Sequence, residues 1–239
     1  MVGRIALKNP LAWLWNNWLV HVDFDVRAEE YGHAIGFLKE CDDILDVACG
    51  TGTFLEAWAA KGHKPGKGID FNPENVEYAC KNNLDVSVGS ALELPFESNS
   101  FDGTHCSHLM QVFDQNQAQT FMREICRVTK DGGTVVITTL NWFPRFFRHP
   151  ENARPYPPDA IWRYALQQQG STSPMYAAMP NIVQTGIWFR CPPLVELISF
   201  SNMTRNSVFA RLNALQLKLG LRKFWAFDAY TIKLKVRKS

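Results

Sequence analysis

Short apolar runs alternate with longer amphipathic stretches through the first 140 positions. Ile44–Val47, Gly66–Asp70, Val86–Val88, Gly103–Cys106 and Thr134–Leu140 read as strands buried on both faces. The stretches between them predict helices over 53–61, 73–82 and 116–128, with Asn72 as a cap and Pro73 at the first helical position. Strand and helix in alternation predict an α/β fold: a doubly wound, mostly parallel sheet covered on both faces. In such a sheet the ligand crevice lies outside the carboxyl ends of the strands.

The flanks have a different texture. Asn9-Pro10 opens a predicted helix in which Leu11, Leu14, Trp15, Trp18, Leu19 and Val22 share one face. A helix over the crevice is one reading. A membrane-surface anchor is the other, although the polar face carries almost no Lys or Arg. Asn16, Asn17 and three tryptophans interrupt the apolar region, so no signal peptide is expected, and no run is long enough to span a membrane.

After Leu140, prolines 144, 150, 155, 157, 158, 174 and 180 break the periodicity, and aromatics from Trp142 to Phe189 crowd between them. A helix near 158–169 and a loop over 167–174 are expected there. An amphipathic helix near 203–219 ends at Gly220, and Leu221–Phe227 with Tyr230–Val236 reads as a hairpin. The predicted organisation is an N-terminal helical lid (1–34), a core (35–140 and 200–239) and an inserted aromatic, Pro- and Arg-rich substrate cap (141–199).

The chain has 239 residues, 46% hydrophobic and 20% charged, which suits one doubly wound domain with an insertion. A formal charge of +2 gives no reason to expect a nucleic-acid partner. Six scattered cysteines lack metal-ligand spacing, so a reduced cytoplasmic protein without a metal site is expected.

The chemistry centres on Ile44-Leu-Asp-Val-Ala-Cys-Gly-Thr-Gly-Thr-Phe-Leu55, an apolar strand running through glycines into a helix. Gly50 and Gly52 remove the Cβ atoms that would hold a ligand away from the backbone. A dinucleotide fingerprint needs a third glycine where Leu55 stands, and a P-loop's Gly-Lys-Ser/Thr is absent. The turn suits a ligand that comes close but brings no pyrophosphate.

Asp46-Val-Ala-Cys-Gly-Thr-Gly52 resembles the first motif of the class I S-adenosylmethionine-dependent methyltransferases, in the branch acting on small molecules. Three further stretches follow in that family's order. Gly68-Ile-Asp-Phe-Asn72 resembles the end of the second strand. Gly89–Phe96 with Ser100-Phe-Asp102 resembles the adenine loop and fourth strand, and Arg123–Gly133 resembles the approach to the fifth. Ala48 departs from the commonest first glycine, and Ser90 from an aspartate that faces the adenine amino group.

The resemblance implies a seven-stranded sheet whose final antiparallel strand inserts beside the fifth, with S-adenosylmethionine as cofactor and S-adenosylhomocysteine as product. It places Asp46, Ala48, Cys49, Gly50, Gly52, Asp70, Phe71, Asn72, Ser90, Ala91, Leu92 and Cys106 around the cofactor. Asp70 would accept the ribose hydroxyls, with Phe71 and Leu92 flanking the adenine. Tyr31 is either a tyrosine closing over cofactor and substrate or a partly buried core residue.

Methyl transfer from a sulfonium is an in-line displacement, so the protein mainly has to align the reacting atoms. His105 and His108, after the fourth strand, are candidate bases, while Gln111 stands where relatives often carry His. Arg145, Arg148, Arg154, Arg163 and Arg190 lie in a stretch without lysine. Arg145, Arg148 and Arg163 with Trp142 suit a small, aromatic or hydrophobic acceptor carrying an acidic group, or else the arginines cover cap aromatics. The alternatives are a non-catalytic protein that binds S-adenosylmethionine or S-adenosylhomocysteine, and a relative using the fold for another reaction.

Overall fold

The computed structural model describes residues 26–140, 150–156, 161, 181–190 and 229–238. Four short strands, β1 (Ile44–Val47), β2 (Lys67–Asp70), β3 (Asp85–Val88) and β4 (Phe101–Ser107), precede the longer β5 (Thr129–Leu140). All four residues of β1 are buried, as a strand covered on both faces requires. Strands β6 (Asn181–Arg190) and β7 (Ala229–Arg237) complete a seven-stranded sheet in the order β3-β2-β1-β4-β5-β7-β6. The first five strands are mutually parallel, and β7 runs antiparallel between β5 and β6. The expected α/β architecture, with its antiparallel strand beside the fifth, is therefore present.

Two elements depart from the sequence reading. Helix α1 (Val26–Leu38) runs across the expected boundary between the lid and the core at residue 34. Gly32 and Gly36 weaken its local helical signal, while buried Ala34, Ile35 and Leu38 hold it against the sheet. Residues 181–190, assigned to the cap, form the edge strand β6 instead. A register shift between Gln184 and Gly186 breaks the alternation by which a strand is recognised. The expected hairpin partner of β7, Leu221–Phe227, lies outside the described residues, as do the predicted helices near 9–22 and 203–219 and, apart from residue 161, the one near 158–169.

The remaining helices follow their signals. Helix α2 (Thr53–Ala59) leaves the glycine turn directly. At α3 (Pro73–Lys81) the Asn72 side chain accepts the Glu74 N–H at 2.9 Å, the cap its position predicts. Helix α4 (Gln115–Val128) opens on a capping box between Asp114 and Gln117. One apolar core, including Leu38, Ile44, Phe54 and Trp58, lies on the side of α1 and α2. The other, including Phe121, Ile125 and Ile137, lies on the side of α4. Among the described residues, no helix is long and apolar enough to cross a membrane.

Candidate active site

The turn after β1 makes three left-handed steps, at Ala48 (φ 57°), Gly50 (56°) and Gly52 (87°). Glycine is the residue that takes this conformation without steric cost, so Ala48 stands strained where the related motif prefers glycine. A Cβ on Gly52 would come within 2.3 Å of the Leu84 side chain, so the helix entry is also closely packed.

Two bonds tie this turn to β2. The Cys49 N–H donates to the Ile69 carbonyl at 3.0 Å, and the Gly50 N–H donates to Asp70 Oδ2 at 2.8 Å. The other oxygen of Asp70 accepts the Asn72 N–H at 3.0 Å and the Asn75 amide at 3.1 Å. An ionised carboxylate offers about four lone-pair sites, so the protein itself fills most of them. Asp70 is thus first the joint between the glycine turn and the start of α3.

Asp46 and His105 are opposite each other in the β1–β4 register, which puts both side chains on the same face. Asp46 Oδ1 and His105 Nδ1 are 2.7 Å apart, with side chains 2% and 1% exposed. Phe54, from the first turn of α2, stacks on the imidazole with ring centroids 3.6 Å apart. The other two polar atoms of the pair, Asp46 Oδ2 and His105 Nε2, are buried without hydrogen-bond partners. Burial pushes the Asp46 carboxyl up from the usual carboxylate range, and His105 opposes that shift.

A second carboxylate–imidazole pair lies nearer the surface. His108 Nε2 is 2.9 Å from Glu30 Oε2 on α1, and the side chains are 31% and 1% exposed. The backbone of His108 is left-handed (φ 57°), and its N–H donates to the Thr138 carbonyl at 2.8 Å. Gln111 donates to the His108 carbonyl at 2.9 Å and accepts the Thr139 hydroxyl at 2.9 Å, so it braces this corner. Tyr31, one residue after Glu30, hydrogen-bonds Thr53 at 3.0 Å and meets Phe54 edge-on. Burial pushes its hydroxyl above the usual range, so Tyr31 stays protonated at neutral pH.

Beyond β2 the rim is open. Phe71 is 76% exposed beside Asp70, an aromatic face that no core claims. Across from it, the Ser90 hydroxyl accepts the Leu92 N–H at 3.1 Å and so folds its own loop. That loop is clamped from α4. Glu124 accepts the Leu94 N–H at 2.8 Å, while Arg127 donates to the carbonyls of Leu94 and Phe96 at 2.9 and 2.7 Å. Arg127 and Glu124 also pair with each other, which holds the Glu124 carboxyl below its usual range.

The structure therefore gathers Asp46, Ala48, Gly50, Gly52, Asp70, Phe71, Asn72, Ser90, Ala91 and Leu92 at the carboxyl edge of β1–β3. The thiols of Cys49 and Cys106 are buried. Cys106 is fully buried in the core on the α4 side, and Cys49 packs beneath the turn against Gly68. His105, expected as a base, is also buried, whereas His108 keeps part of its ring exposed. Trp142, Arg145, Arg148 and Arg163 lie outside the described residues. Arg154 lies 5.6 Å over the Tyr156 ring, so this arginine does cover a cap aromatic. Glu30, Phe54, Asn75, Glu124 and Arg127 carry no sequence signal for their roles, since each acts across elements that only the fold brings together.

Comparison with known proteins agrees with this geometry. The family model for a methyltransferase domain matches residues 44–133, the span from β1 to the start of β5. The malonyl-[acyl-carrier protein] O-methyltransferase of Erwinia pyrifoliae is 35% identical over 155 residues, covering 59% of this chain and 58% of that protein. The ubiquinone/menaquinone biosynthesis C-methyltransferase of Neisseria meningitidis is 32% identical over 108 residues, covering 42% and 43%. The chain thus spans about half the length of these curated relatives. A solved S-adenosylmethionine-dependent methyltransferase from Archaeoglobus fulgidus superposes with a TM-score of 0.62 at 20% identity, covering 94% of this chain and 99% of that one. Residues 44–133 thus match a methyltransferase domain, as the motifs led one to expect, and the fold is the one seen in solved S-adenosylmethionine-dependent methyltransferases.

The residues present fit that family's cofactor. The turn brings bare backbone to the crevice, Phe71 offers a flat apolar face, and the unpartnered Asp46 oxygen is an acceptor for a cationic group.

Proposed function

We propose that this protein transfers a methyl group from S-adenosylmethionine to a small-molecule acceptor. The observation that carries this reading is the left-handed turn at Gly50 and Gly52, bonded to Asp70 and flanked by Asp46. The cofactor supplies an electrophilic methyl carbon on a sulfonium, so the protein's work is placement. Asp70 uses its remaining acceptor capacity on the ribose, Phe71 and Leu92 flank the adenine, and the backbone of 48–52 lies along the amino-acid arm. Tyr31, hydrogen-bonded to Thr53 over the first turn of α2, closes the other side.

His108 is the base in this reading. Glu30 accepts the proton on Nε2, leaving Nδ1, which has no partner among the described residues, to take a proton from the acceptor. The acceptor is aromatic or hydrophobic. The two relatives, named as an O- and a C-methyltransferase, leave its nucleophilic atom open. An anionic group held by Arg145, Arg148 or Arg163 remains part of the proposal, and so does a cytoplasmic location.

The test is label transfer. The full chain, S-adenosylmethionine labelled at the methyl group and fractionated small-molecule extracts are incubated and read by mass spectrometry. Label in one compound class, lost when Asp70 is replaced by Ala, is the expected result. Binding of S-adenosylhomocysteine without label transfer to any fraction would favour a non-catalytic cofactor-binding protein.

A further inference from the structure

The Asp46–His105 pair is buried, and the mechanism above assigns His105 no part. The β1–β4 register sets the two residues side by side, and Phe54 pins the imidazole by stacking on it. With Nδ1 committed to Asp46 Oδ1, the carboxylate plane is held in one orientation at the base of the glycine turn. Asp46 Oδ2 then stays buried and unpaired, two residues before the left-handed step at Ala48. A buried carboxylate oxygen with no donor is costly unless a ligand completes it. The groups facing Asp46 include His105 and Cys106 from β4, Asp70 from the end of β2, Cys49 from the turn and Tyr31 from α1, and none supplies that donor.

We propose that His105 is a positioning residue for the cofactor, orienting the Asp46 carboxylate so that Oδ2 receives the ammonium of the cofactor's amino-acid arm. This rests on the proposed use of S-adenosylmethionine. It reassigns His105 from proton transfer to recognition of one part of the cofactor. A single proton donated from Nδ1 to Oδ1 is enough to hold the carboxylate, while leaving Oδ2 for the incoming cation. Phe54 belongs to the same device, because without the stacked ring the imidazole could rotate.

Two probes separate the parts of the cofactor. S-adenosylhomocysteine carries the amino-acid arm, whereas 5′-methylthioadenosine keeps only the adenine, ribose and thioether. Calorimetry on the full chain should show that the parent prefers S-adenosylhomocysteine. His105→Leu should reduce that affinity roughly ten- to hundred-fold while changing methylthioadenosine affinity less than about two-fold. Asp46→Asn should do the same, and the double variant should add little further, as expected for residues acting as a unit. His105→Gln, which keeps a donor toward Asp46, should retain part of the preference. Retained methylthioadenosine binding certifies that each variant is folded.

The parent protein supplies a reading that needs no variant. Its His105 ring resonances should move on adding S-adenosylhomocysteine and stay in place with methylthioadenosine. If His105→Leu keeps the parent's preference, or loses both ligands alike, or if the two ligands move the ring resonances equally, the positioning role is overturned. If the parent binds neither probe, it is the cofactor reading itself that fails.

Discussion

The backbone N–H of Gly50 donates to Oδ2 of Asp70 across 2.8 Å, joining the turn after β1 to the last residue of β2. The same carboxylate holds the start of α3 through Asn72 and Asn75. One side chain therefore supports both walls of the proposed cofactor cleft. Asp70→Ala should lower stability by about 1–3 kcal/mol, the usual cost of leaving buried donors unmatched. It should also weaken S-adenosylhomocysteine by at least roughly ten-fold, through lost ribose contact and a loosened turn. Urea melts and calorimetry measure the two effects separately. An unchanged affinity would remove Asp70 from the site.

The Glu30–His108 pair, the proposed base and its partner, makes a different prediction. His108→Ala should slow the chemical step by on the order of 10²–10⁴-fold while S-adenosylhomocysteine affinity stays at the parent's value. Glu30→Gln should give a smaller loss of the same kind, since the ring keeps its place but loses the carboxyl group that fixes its tautomer. Single-turnover label transfer to an identified acceptor is the measurement. Full turnover in both variants would leave alignment alone to carry the reaction.

Much of this arrangement was legible in the chain. The buried parallel strands announce themselves as apolar runs, and the glycine turn needs residues that only a close backbone approach explains. Asn72-Pro73 marks the entry to α3 correctly because its cap is local. The pairs that give the site its electrostatics are not local. Asp46 and His105 are 59 positions apart, and Glu30 and His108 are 78 apart. Only strand register and the docking of α1 bring them together. Strand β6 was hidden for a similar reason, since its bulge breaks the alternation and its partner β7 follows some forty residues later.

The clamp of Glu124 and Arg127 on the loop of residues 90–96 links stability to pH. The Arg127 hydrogen bond holds the folded Glu124 carboxyl below its usual range. A depressed carboxyl stabilises the fold above its unfolded pKa of about 4.3 and loses that contribution as pH falls through the folded value. Glu124→Gln should therefore melt below the parent at pH 7, with the difference closing at pH values under about 4. Because the same carboxylate fixes Leu94, the variant should also bind S-adenosylhomocysteine more weakly at neutral pH. Melting curves that stay parallel from neutral to acid pH would show that the pair does not contribute through its charge.

The left-handed turn permits a test in which stability and binding separate. Ala48 carries a conformation that costs a residue with a Cβ about 1–2 kcal/mol, so Ala48→Gly should relieve strain. Part of that gain, about 0.4–1 kcal/mol, is returned because glycine makes the unfolded chain freer, so the net change should be small and stabilising. Gly50→Ala introduces the same strain, but its new Cβ meets nothing within 4 Å. Its stability loss should therefore stay near about 1–2 kcal/mol. Gly52→Ala adds a Cβ 2.3 Å from Leu84 Cδ1, so Leu84 must move and the loss should exceed that of Gly50→Ala. Binding should follow another order. The Gly50 variant should lose S-adenosylhomocysteine affinity by more than its stability cost explains, because its Cβ occupies space left for the ligand. Equal affinity in the parent and Gly50→Ala would mean that the cofactor does not approach this face of the turn.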